Sequence, residues 1–148
     1  MATPVVRVGV ATNKLIFGTR KASHGNGTIQ FSGGHLEVGE SWFACAERET
    51  LEETGLLVRA KKLLATTNDV FDEEKKHYIT LFILCERTDD QEPAPEKCAG
   101  WFWKSWSDVK ALISGDTSGS GSGQQGEQKF FLPILNLLRD HPDIESLM

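Results

Sequence analysis

Apolar positions recur in two rhythms along this chain, and the breaks between them divide it into short elements. "VVRVGVA" (5–11) and "KLIFGTR" (14–20) are apolar runs separated by Thr12 and Asn13, a spacing that predicts a tight β-hairpin. "KASHGNG" (21–27) is rich in turn formers, and "TIQFS" (28–32) predicts another strand. Residues 41–54 hold neither Gly nor Pro and predict a helix with Ser41 as N-cap and Gly55 as its stop. Extended structure is expected over 56–71, and "HYITLFILCER" (77–87) is apolar enough for a central strand. After a proline-containing loop (89–100), "WFWKSW" (101–106) alternates as an edge strand does, and "SDVKALI" (107–113) begins like a capped helix. "SGDTSGSGSGQQGEQ" (114–128) reads as a low-complexity surface insert. "KFFLPILNLLRDH" (129–141) then resumes a helical pattern, with Pro133 in its first turns. Several strands with two or three helices, no repeat and 148 residues predict one mixed α/β domain spanning 1–148.

Charge changes this picture at one place. Residues 33–56, "GGHLEVGESWFACAERETLEETGL", contain six glutamates: Glu37, Glu40, Glu47, Glu49, Glu52 and Glu53. On a helix, Glu49, Glu52 and Glu53 stand at i, i+3 and i+4 and share a face. Carboxylates that close repel one another unless a cation lies among them, and a hard divalent ion such as Mg²⁺ suits oxygen ligands. Arg48 can orient one carboxylate, and Gly33 and Gly34 let the backbone approach a metal and offer a carbonyl. Taken alone, an acidic face is more often just solvated.

The full spacing makes the stretch specific. Gly34, five residues, Glu40, seven residues and then "RETLEETGL" resembles the Nudix box, G-x5-E-x7-R-E-U-x-E-E-x-G-U with U bulky and aliphatic. Two positions depart from the usual pattern: Thr50 stands at the first U, and Ser32 where relatives often have proline. The 5–20 hairpin is also shorter than the family leads one to expect. Outside the box the chain resembles a eukaryotic branch of nucleotide diphosphatases within that family. "GGHLEVGES", "HYITLF", "EPAPEKCAGWFW" and "FFLPILNLL" carry that likeness.

The resemblance implies an α/β/α sandwich around a mixed β-sheet. It implies a Mg²⁺-dependent hydrolase, with Mn²⁺ as an alternative ion, cleaving nucleoside triphosphates to nucleoside monophosphate and pyrophosphate. Metal ligands would be Gly33, Glu49, Glu52 and Glu53, with Glu49 either ligand or general base. Arg48 would hold a catalytic glutamate, and Glu40 would be structural. Thr80, Leu132, Pro133, Ile134 and His35 are the substrate-side candidates, although core packing explains Ile134 equally well. A diphosphatase for an isoprenoid diphosphate and a silent Nudix binding domain are the competing functions. ADP-ribose hydrolysis is less expected, because relatives of that kind often carry a proline about fifteen residues after the box, whereas here the next is Pro93. Homodimers are common in the resembling branch, so a homodimer is one candidate assembly.

The remaining bulk features exclude more than they assign. A net charge of −5 argues against polymeric nucleic acid as a partner, and no apolar run is long enough to span a membrane. "MATPVVRVGV" lacks the layout of a secretory signal, so cytoplasm is the expected location, with room for a nuclear share. Cys45, Cys85 and Cys98 form no CxxC pair and predict buried free thiols rather than a zinc site. Trp101, Trp103 and Trp106 predict packing rather than a stacking platform.

Overall fold

A computed structural model describes residues 3–10, 15–19, 27–90, 100–114 and 130–148. Its strands form two sheets. The four-stranded sheet runs in the order β4 (Ser32–His35), β1 (Thr3–Val10), β6 (Lys76–Arg87), β5 (Val58–Phe71). In it β1 and β6 are parallel and the other pairs antiparallel, so the sheet is mixed. The three-stranded sheet is antiparallel, in the order β3 (Ile29–Gln30), β2 (Leu15–Thr19), β7 (Trp101–Lys104). The helices are α1 (Trp42–Thr54), α2 (Trp106–Ser114) and α3 (Leu132–Asp140), followed by a 3-10 turn at Ile144–Leu147.

The period of two explains why β6 lies at the centre. Its Phe82 and Leu84 enter one core, shared with Phe17, Phe31, Trp106 and Val109 of α2, and Ile134 and Leu137 of α3. Its Leu81, Ile83 and Cys85 enter a second core with Cys45 and Ala46 of α1. A strand buried on both faces needs a layer on each side, and the result is an α/β/α sandwich. Phe31 turns the chain from the smaller sheet into the larger: it separates β3 from β4 and stacks on Phe17 with ring centroids 4.6 Å apart.

Most expected elements form where the pattern places them, including α1 with both its signals. Ser41 Oγ accepts from the Ala44 N–H at 3.1 Å. Gly55 takes the left-handed conformation (φ 74°) and donates its N–H to Leu51 O at 2.9 Å. The N-terminal hairpin does not form. β1 pairs with β4 and β6 while β2 pairs with β3 and β7, so the two apolar runs belong to different sheets. The cause is non-local: β1 supplies the parallel neighbour that β6 needs between itself and β4, and no short-range signal encodes that pairing. "TIQFS" is likewise not one strand but the end of one and the start of another.

Cys45 and Cys85 are buried free thiols, and burial pushes both up to about 12. Trp106 lies in the first core, and Trp101 and Trp103 pack partly buried against the second. The low-complexity insert, from residue 115 onward, and Cys98 lie outside the described residues. Among the described residues no helix is long and apolar enough to cross a membrane.

Candidate active site

The six glutamates do not form one acidic face. Glu47 and Glu53 accept from backbone amides, and the other four gather around Arg48, the hub. Its Nε donates to Glu40 Oε1 at 2.7 Å and its Nη2 to Glu40 Oε2 at 3.0 Å, a fork-shaped pair on one carboxylate. Nη1 donates to Glu49 Oε1 at 2.8 Å and to Glu52 Oε2 at 3.3 Å, while Nη2 also reaches the His35 carbonyl at 3.2 Å. The guanidinium holds the Glu40 carboxyl far below the usual range, at about 2, and the carboxylates in turn hold the Arg48 charge more firmly. Glu40 also accepts from the Glu37 N–H at 3.0 Å, so it closes the turn that leads into α1. Its arrangement is that of a clamp between loop and helix.

Glu47 leaves the cluster altogether. It accepts from the Ala60 N–H at 2.9 Å, next to a β-bulge in β5, and so ties α1 to the sheet. Glu49, Glu52 and Glu53 remain on the face towards β4. Glu49 is largely buried, and a Cβ placed on Gly34 would collide with its carboxylate. Only a residue without a side chain leaves room for Glu49 there. Glu53 accepts from the Gly33 N–H at 3.2 Å, so the contact from Gly33 to this helix is made by its N–H. Glu52 is the most exposed of the three.

Among the described residues no three His, Cys, Asp or Glu side chains converge as a metal-holding group. The repulsion within the i, i+3, i+4 set is relieved instead by spreading the carboxylates over the Arg48 guanidinium and the Gly33 amide. The donor set still fits a hard divalent cation. It offers oxygen ligands only, the Gly34 cradle fixes one carboxylate, and Glu52, at 59% side-chain exposure, is free to swing towards its neighbours.

The two positions that depart from the box pattern meet each other. Ser32 Oγ and Thr50 Oγ1 lie 3.3 Å apart, both fully buried, and Thr50 Oγ1 also donates to Ala46 O at 2.8 Å. Without Thr50 the buried Ser32 hydroxyl would lose this partner, whereas Thr50 keeps its bond to Ala46 O.

The substrate-side candidates are divided. His35 is exposed beside the box, its ring 6.3 Å from that of Tyr78. Tyr78 in turn lies edge-on to Phe71 at 5.8 Å, and Phe71 sits 5.4 Å from Phe131, the residue before α3. Leu132 is half-buried, whereas Pro133 and Ile134 face the interior. Thr80 is 1% exposed, and its hydroxyl donates to the buried Asp69 carboxylate. Asp69 was not singled out from the sequence, nor was Asn136, which donates to it from α3 at 2.8 Å. No local spacing signals that pair: the two residues are 67 positions apart.

Comparison with known proteins agrees with this architecture. The family profile described as "NUDIX domain" matches residues 2–120. A NUDIX hydrolase from Nitrosomonas europaea superposes with a TM-score of 0.66 at 18% identity, over 96% of this chain and 90% of that one. A MutT protein from Methanosarcina mazei gives 0.61 at 17% identity, over 76% of this chain and 81% of that one. An ADP-ribose pyrophosphatase from Streptococcus suis gives 0.60 at 16% identity, over 99% and 92% respectively. At such identities the superpositions speak for the fold, while the domain match spans most of the sequence and includes the whole arginine–glutamate helix. The chain belongs to the Nudix family of hydrolases.

Proposed function

We propose that this Nudix hydrolase is Mg²⁺-dependent and cleaves nucleoside triphosphates, modified ones included, to nucleoside monophosphate and pyrophosphate. We place it with the eukaryotic nucleotide diphosphatase branch that its sequence resembles. The observation that carries the chemistry is the seat of Glu49 between Arg48 and Gly34, with Glu52 and Glu53 one turn further along the same face. Bound there, Mg²⁺ would neutralise phosphate oxygens and stabilise the pyrophosphate leaving group. Glu49, Glu52, Glu53 and the Gly33 backbone are the groups that would hold it.

The chain's own residues supply positioning and proton transfer. A water oxygen bonds to the phosphorus nearest the nucleoside, the bond from that phosphorus to the bridging oxygen breaks, and a carboxylate takes the water's proton. Of the three carboxylates that would hold the ion, Arg48 reaches Glu49 and Glu52, so either proton acceptor is held by the same guanidinium. Arg48 is itself fixed by the fork on Glu40, which makes the loop before α1 part of the catalytic geometry.

One feature favours a nucleotide over an isoprenoid diphosphate. The wall beside the box is aromatic, through His35, Tyr78 and Phe71, and suits a planar ring. The test is pyrophosphate release with Mg²⁺ across normal and modified nucleoside triphosphates, ADP-ribose and geranyl diphosphate, with Glu52→Gln as control. Release from triphosphates that the variant abolishes supports the proposal. Preferred turnover of geranyl diphosphate refutes the nucleotide assignment, and no turnover of any compound points to a binding domain.

A further inference from the structure

A buried polar cluster lies on the sheet face that packs under α3, the face that also carries His35, and the hydrolytic chemistry does not use it. Asp69 on β5 is fully buried, and three side chains donate to its carboxylate. Thr67 Oγ1 reaches Oδ2 at 3.0 Å, Thr80 Oγ1 reaches the same oxygen, and Asn136 Nδ2 reaches Oδ1 at 2.8 Å. All three donors are themselves at most 5% exposed. Asn136 Nδ2 also approaches the Asn68 carbonyl at 3.4 Å.

The strand register connects this cluster to the box. Val5 pairs with His35 on one side and with Thr80 on the other, and Thr80 pairs with Thr67. Directly paired residues point to the same face, so His35, Thr80 and Thr67 lie in one row across the sheet. Tyr78 and Asp69 form the next row of that face. The row therefore begins at the strand that carries Gly33 and Gly34 and ends beneath α3.

At the entrance of α3 the Phe131 N–H donates to Ile29 O at 2.9 Å. Two anchors, one at the entrance and one in the middle, fix both the position and the rotation of the helix. A carboxylate in an interior is an expensive anchor. Buried charged groups are often replaceable by apolar residues of similar volume without loss of stability, so stability alone does not account for this one.

We propose that Asp69 is a positioning residue: through Thr80 and Asn136 it sets α3 against the sheet face that begins at the glycine pair. Its consequence for substrate rests on the nucleotide assignment above: the placement of α3 relative to His35, Tyr78 and Phe71 shapes the nucleobase side of the site. Asp69 touches no reacting atom, so its effect belongs in KM rather than in kcat.

The test compares wild type, Asn136→Leu and the reciprocal Asp69→Asn/Asn136→Asp exchange, using dGTP as probe and amide hydrogen exchange as a substrate-free readout. The exchange keeps the three bonds at position 69 and gives up the 3.4 Å contact to the Asn68 carbonyl: the new amide at 69 donates to the new carboxylate at 136, and its oxygen still accepts from both threonines. In Asn136→Leu the amides of 132–140 should exchange about tenfold faster, and KM for dGTP should rise about tenfold with kcat within about twofold. The reciprocal exchange should restore both quantities. Unchanged exchange rates in α3, a parallel loss in kcat, or a double variant no better than the single one overturns the proposal. Should wild type not hydrolyse dGTP, the nucleotide assignment has failed, and the exchange rates still decide whether Asp69 positions α3.

Discussion

A single missing methyl group keeps Glu49 in place. The carboxylate occupies the space that a side chain at Gly34 would fill, and the intruding atom would meet the far end of a flexible chain rather than backbone. Gly34→Ala should therefore displace the carboxylate at little cost to the fold. We expect kcat/KM to fall by about 10²-fold, the scale of a catalytic group moved by about 1 Å, with the thermal midpoint nearly unchanged; a stopped assay beside a melting curve checks both. Arg48→Lys should also lose about 10²-fold in kcat, because an ammonium cannot reproduce the fork on Glu40 while reaching Glu49. The contact between Ser32 and Thr50 belongs to this scale too. Thr50→Val should destabilise by about 1–3 kcal/mol, the cost of stranding a buried hydroxyl. Adding Ser32→Ala should recover part of that loss in urea titrations. From the sequence these two positions were separate departures from a pattern; only the packing of β4 on α1 shows that each answers the other.

At the scale of elements, what was legible is what is encoded locally. α1 announces itself through Ser41, Gly55 and an unbroken stretch between them, and the structure places both caps where those residues stand. The function of its glutamates was legible only as a group, since their individual partners come from other elements: Glu47 from β5, Glu53 from β4, Glu40 from its own turn and from Arg48. The clamp between the turn and α1 has a definite acid response. Arg48 holds the folded-state Glu40 carboxyl at about 2, below its ordinary 4.5. A depressed carboxyl contributes its full stabilisation above the ordinary value and loses it as pH falls towards the folded one. The turn at 37–40 should thus detach from α1 between pH about 4.5 and about 2. The Glu40 carboxyl-carbon chemical shift would follow the titration, and in Glu40→Gln the matching acid response of the Arg48 Nε resonance should be lost.

At the scale of the molecule, the sequence was least informative about which strands meet. The expected β1–β2 hairpin failed because β1 is drawn between β4 and β6, partners more than twenty and more than sixty residues away. The sandwich itself was foreseeable, because β6 is apolar on both faces and two amphipathic segments are available to cover it. The substrate wall was only partly legible. His35 is exposed at the box, but Thr80, nominated as a ligand contact, proves to be spent on Asp69, and Asp69 and Asn136 carry no local signature. Fold similarity extends to a protein named as an ADP-ribose pyrophosphatase, so architecture alone does not choose the substrate.

In the proposed mechanism the carboxylates of α1 hold the divalent ion that hydrolysis uses. Titration of Mn²⁺, followed by electron paramagnetic resonance in wild type, Glu49→Gln, Glu52→Gln and Glu53→Gln, tests it most directly. Wild type should bind tightly and the variants at least about tenfold more weakly, the scale on which changes around a metal act, with pyrophosphate release falling alongside. Equal Mn²⁺ affinity in all four proteins would contradict it.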